Sequence, residues 1–74
     1  MSLATDLAEK LALDACNAAE ELGDETLPEL IAQTVGASSP TTEELYRTAV
    51  RVIQAARRAR RVLEAKIAAG KPPS

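Results

Sequence analysis

The sequence predicts an all-α fold of three helices: a long first, a short second and a very long third, packed as a small bundle that pairing with a second copy completes. Three observations carry that expectation. Apolar residues recur at three- and four-residue spacing along the chain. Fifteen of the 74 residues are alanine, the strongest helix former, against nine Leu, four Val and three Ile. Start and stop signals divide the chain at Gly23, at Gly36 and at the Ser39-Pro40 pair.

The first helix is expected over about Leu3 to Leu22. Ser2 is its N-cap, Asp6 and Glu9 lie near the positive end of its dipole, and Gly23 closes it as a left-handed cap. Leu3, Leu7, Leu11, Ala15, Ala18 and Leu22 make its apolar stripe, widened by Ala4, Ala8, Ala12 and Ala19. The second helix, about Leu27 to Val35, opens on Thr26-Leu27-Pro28-Glu29, a capping-box pattern with proline in the first turn, and Gly36 is read as its stop. The third opens at Ser39-Pro40 with Glu43 and Glu44 in its first turns, and neither Gly nor Pro interrupts it before Gly70. Its stripe is Leu45, Ala49, Val52, Ala56, Ala59, Leu63 and Ile67, with Tyr46 and Ile53 on one flank and Arg47, Arg51, Gln54, Arg58 and Arg61 opposite. The chain therefore reads as a single helical domain over 1–70 and a disordered tail over 71–74, Lys-Pro-Pro-Ser.

Composition closes off much chemistry. The chain has no His, Trp or Phe, one Cys and one Tyr. Without histidine there is no general base tuned to neutral pH, and with one Cys neither a disulfide nor a zinc site is expected. The adjacent acids Glu20-Glu21, Asp24-Glu25 and Glu43-Glu44 fall at helix ends or point apart. No catalytic residue, metal site or cofactor is expected, and Cys16 reads as a small packed residue. No apolar run reaches membrane-spanning length, and the acidic start does not resemble a signal peptide. An unpaired cysteine with abundant Arg and Ala suggests a bacterial cytoplasm.

The net charge of −2 hides an asymmetry. Residues 1–38 hold eight acids against Lys10, whereas residues 39–74 hold eight bases against Glu43, Glu44 and Glu64. The densest basic feature is the patch of Arg57, Arg58 and Arg61, with Arg60 among them on the apolar side beside Ala56 and Leu63, where Glu64 stands four residues on. The basic face of the third helix is expected to meet the acidic first half, mostly between chains, with the first and third helices roughly parallel.

Geometry supplies the expectation of a partner. Some 30 residues of helix span about 45 Å, the first helix about 30 Å and the second about 13 Å. A compact globule of this length is only about 30 Å across. The third helix should overhang its own domain, leaving an interface of Ala56, Ala59, Arg60, Leu63 and Ile67 for a second copy or another protein. The function read from these features is a non-enzymatic interaction or regulatory module acting as a homodimer. The alternative is a small helix-turn-helix-like DNA-binding regulator, suggested by Ile31 to Ala37 followed by Ser39 and Leu45, but opposed by acids where base contacts would form. No membrane partner is expected.

Overall fold

A computed structural model describes residues 2–70, and the expected tail at 71–74 lies outside them. The chain is all-α: helix α1 runs Leu3–Leu22, α2 Leu27–Ser38 and α3 Pro40–Gly70. Ser2 accepts a hydrogen bond at Oγ from the Thr5 amide, and Gly23, at φ 65°, closes α1 while the Asp24 amide donates back to the Ala19 carbonyl. Only glycine takes that left-handed conformation without strain.

Two boundaries differ from expectation. The capping box at Thr26 does not form; instead Asp24 Oδ1 accepts from both the amide and the hydroxyl of Thr26. Asp24 lies closer along the turn than Glu29, and Glu29 is engaged elsewhere. Those two bonds hold the Asp24 carboxyl below the usual aspartate range. The second difference is the end of α2. Gly36 does not stop it, and the helix continues to Ser38. Gly36 has no positive φ, and the space a side chain would fill there is taken by the carboxylate of Glu43. The break comes at Ser39, extended at φ −153° and ψ 101°, because a residue before proline is pushed out of the helical region. Ser39 alone joins the helices, and its hydroxyl accepts from the Thr42 amide to cap α3.

α1 and α3 run parallel: Thr5, Glu9 and Leu13 share a groove with residues of the first half of α3, Leu45 to Ile53, and Asn17 and Glu20 lie at Arg57 further along. α2 returns antiparallel, bringing Gly36 to Glu43 and Glu29 to Arg47. The core lies where the three meet and consists of Tyr46 with Ala8, Ala12, Ala15 and Ala32, flanked by Ile31, Leu45, Ala49, Val50 and Ile53. Tyr46, expected at the edge of a stripe, is the largest fully buried side chain, and its hydroxyl donates to the Pro28 carbonyl at 2.8 Å.

The stripes are accordingly rotated from those expected. On α1 the alanine row with Cys16 faces inward, whereas Leu3 and Leu7 are 75% and 56% exposed. On α3 the inward row is Tyr46, Val50, Ile53 and Arg57, while Val52 is 63% exposed. One large ring on α3 needs small residues opposite it, and the alanine row of α1 and Ala32 of α2 provide them. The result is elongated, 55 × 29 × 13 Å with a radius of gyration of 15.6 Å, against about 11 Å for a compact chain of this length. With α1 and α3 in step, α1 ends near the level of Arg61. Every residue of α3 from Arg58 to Gly70 is exposed.

Candidate interaction surface

The distal half of α3 carries the apolar row expected of it. Val52, Ala56, Ala59, Leu63 and Ile67 follow one another at four- and three-residue steps. All are exposed, Leu63 to 53% and Ile67 to 50%. At about 100° per residue this row lies roughly a third of a turn from the inward row of Tyr46, Val50, Ile53 and Arg57. The packing within the chain therefore leaves it uncovered along its whole length. Val62 adds a further exposed aliphatic beside it. A second, separate set of exposed leucines, Leu3, Leu7 and Leu22, marks the outer side of α1.

At its upper end the row enters a groove. Thr5, Glu9 and Leu13 of α1 and Leu45, Thr48, Ala49, Val52 and Ile53 of α3 enclose roughly 450 Å³ of mostly apolar space. The sequence did not single out this groove, because its α1 side comes from residues on the flank of the alanine row that faces away from the leucines. Leu13, read from the sequence as belonging to the polar side of its helix, lines this groove and is half-exposed.

The basic patch divides. Arg57 does not project past α1: its Nη1 meets Glu20 Oε2 at 2.9 Å, and its Nη2 donates to Asn17 Oδ1. Its alkyl stem belongs to the inward row, which explains how a residue read as surface charge comes to lie against the core. Arg58, Arg60 and Arg61 make no ion pair among the described residues, and the contact from Arg60 to Glu64 suggested by their spacing does not form. Part of the charge complementarity of the two halves, expected mostly between chains, operates within the chain. Arg57 pairs with Glu20, and Arg47 is gripped by Glu29 at 2.6 Å and Glu43 at 2.9 Å. The Arg47 guanidinium holds the Glu29 carboxyl below the usual glutamate range and is itself held more firmly protonated by Glu29, then Glu43. Arg57 also supplies the cation that the crowded acids at the negative end of α1 require.

Cys16 is buried, and burial pushes its thiol upward, with Arg57 opposing. A thiol in that state is a packing group, as its sequence position suggested. It lines a wider groove with Glu20, Arg57, Arg58 and Arg61. Among the described residues no three His, Cys, Asp or Glu side chains stand close enough to hold a metal ion, and no helix is long and apolar enough to cross a membrane. Comparison with known proteins finds no matching family model, no matching curated protein and no matching solved structure.

Proposed function

We propose that this protein is a non-enzymatic helical interaction module with a regulatory role, working as a homo-oligomer whose interface is centred on the second half of α3. One observation carries the reading: an unbroken row of exposed apolar side chains, Val52 to Ile67, on a helix that outruns the body it belongs to. Contiguous apolar surface of this kind marks protein contact sites. The modest core adds an energetic reason. Apart from Tyr46 the fully buried side chains are small, and a chain of this size rarely gains more than about 3–5 kcal/mol from its own packing. A two-fold pairing is the commonest closed arrangement and puts the same patch to use on both copies. A different protein is the second candidate partner.

The lack of histidine and the divergence of the acidic pairs support a role without catalysis. A thiol without a disulfide partner, in an Arg- and Ala-rich chain, supports a reducing compartment such as the bacterial cytoplasm. The DNA-binding reading draws on Arg58, Arg60 and Arg61. Against it stand Glu43 and Glu44 in the opening turns of α3 and the single-residue joint at Ser39, where a helix-turn-helix uses about three or four residues.

Sedimentation at tens of micromolar tests the proposal, with dimers expected. Leu63→Asp, which puts a charge at the centre of the interface, should weaken association at least about a hundredfold, the equivalent of roughly 3 kcal/mol. A wild-type chain that sediments as a monomer refutes the proposal. Salt-sensitive binding to duplex DNA at low ionic strength would favour the regulator instead.

A further inference from the structure

We infer that the groove beside Cys16 and Glu20 binds a small phosphate monoester, with the phosphate held by Arg58 and Arg61. The inference goes beyond the homo-oligomeric reading above and uses the opposite side of α3. At about 100° per residue, Gln54, Arg57, Arg58 and Arg61 centre close to half a turn from the row of Val52 to Ile67. Both surfaces can therefore be occupied at once.

Position is the first support. Gln54 stands three and four residues before Arg57 and Arg58, and Arg61 stands four and three after them, so the four are neighbours on the helix surface. All four line the groove. Arg57 is committed to Glu20 and Asn17. Arg58 and Arg61 are exposed, and neither makes an ion pair among the described residues. No acid stands three or four residues from Arg58, and Glu64, three residues beyond Arg61, does not pair with it. Like charges at this spacing repel each other, and an anion bound between them relieves the repulsion.

Chemistry chooses the anion. Each guanidinium presents a fork of N–H donors that matches carboxylate or phosphate oxygens. A phosphate monoester carries close to two negative charges at neutral pH and three acceptor oxygens, enough for both forks. A carboxylate brings one charge and two oxygens and satisfies one fork. The groove holds roughly 480 Å³, the scale of a small-molecule site and far more than a bare phosphate fills. Cys16, Ala19 and Pro28, buried or partly so, offer small apolar contacts to the organic part. Two acids line the groove. Glu20 is engaged by Arg57, which leaves Glu25, exposed at the α1–α2 turn, to oppose the anion. A nucleic-acid strand is served less well. Its diesters carry one charge each, Arg47 is spent on Glu29 and Glu43, and Arg60 lies about a third of a turn away toward the apolar row.

Phenyl phosphate, benzoate and inorganic phosphate test the site. Calorimetry at low salt gives the affinities, and the side-chain Nε–H resonances of Arg58 and Arg61 give the location. Phenyl phosphate should shift both resonances at millimolar concentration or below. It should bind severalfold tighter than inorganic phosphate and at least about tenfold tighter than benzoate. Arg58→Gln with Arg61→Gln should weaken it at least about tenfold. Arg58→Lys with Arg61→Lys, which keeps the charges without the forks, should weaken it severalfold, and Glu25→Gln should tighten it. Arg51→Gln, in the adjacent groove beside Tyr46, and Leu63→Asp, on the far side of α3, should leave it unchanged, so the site stands even if the oligomer does not. Circular dichroism checks the helix content of each variant. Equal affinity for benzoate or inorganic phosphate, or undiminished binding by the double Gln variant, overturns the inference. Duplex DNA that moves the same resonances at lower concentration than phenyl phosphate overturns it as well, and gives the cluster to nucleic acid.

Discussion

Truncating Tyr46 tests the packing at its centre. The ring is fully buried, shares its cluster with Ala8, Ala12, Ala15 and Ala32, and is anchored by the hydroxyl to the Pro28 carbonyl. Removing a buried aromatic ring to alanine costs about 3–5 kcal/mol, since the surrounding alanines cannot extend into the cavity. That is as large as the total stability a chain of this size draws from its own core, about 3–5 kcal/mol. Tyr46→Ala should therefore lose most of its helical ellipticity at 25 °C in dilute solution. Tyr46→Phe keeps the ring and loses one hydrogen bond, a cost of about 0.5–1.5 kcal/mol, or roughly 4–8 °C of melting temperature per kcal/mol. The hydroxyl adds a pH signature. Burial is the main reason the Tyr46 pKa lies above its ordinary value of 10.0. The neutral phenol is thus the form the fold favours. Its stabilising contribution is complete below about pH 10 and is lost as pH climbs through the raised value, and Tyr46→Phe should flatten that alkaline decline. Circular dichroism melts of the three proteins read all of this. If Tyr46→Ala melts within a few degrees of the wild type, the assignment of the core is wrong.

Two other perturbations follow from the geometry. Gly23→Ala forces a β-carbon into the left-handed cap of α1 and should cost about 1–2 kcal/mol, visible as a lower urea midpoint with an unchanged slope. Glu29, depressed by Arg47, stabilises the fold above its ordinary pKa of 4.5, and that contribution fades as pH falls through its lowered value. Glu29→Gln should remove this part of the acid dependence, read from stability measured at stepwise lower pH.

Three of the local signals were legible because each rests on one or two residues, whereas the Thr26 capping box and the Gly36 stop gave way to Asp24 and Ser39. Ser2, Gly23 and the Ser39-Pro40 pair act on their own backbone, and they stand where the sequence placed them. The facing of the helices was not legible, for an identifiable reason. On α1 the leucine and alanine rows are both apolar and both helical in period, so hydrophobic spacing alone ranks the leucines first. What reverses the order is a residue on another helix: Tyr46 fills the space between the helices and so demands small neighbours. Arg57 was misread for the converse reason, because its charge hides an alkyl stem long enough to cover the core while its head reaches Glu20. The groove beside Leu13 needed both helices to be in place before it existed.

The turns of α3 beyond the end of α1 have a spectroscopic consequence. No neighbouring helix of their own chain supports them, so they persist by propagation alone, at about 1–1.6 per residue for good helix formers near 0 °C. Heating a separated chain should unwind them gradually, from Gly70 backward, well below the temperature at which the buried ring lets go. The far-ultraviolet signal would then slope before its main transition, and the slope should shrink as concentration rises and the turns gain a neighbour. The helix would in this way act as its own gauge of occupancy, without any label.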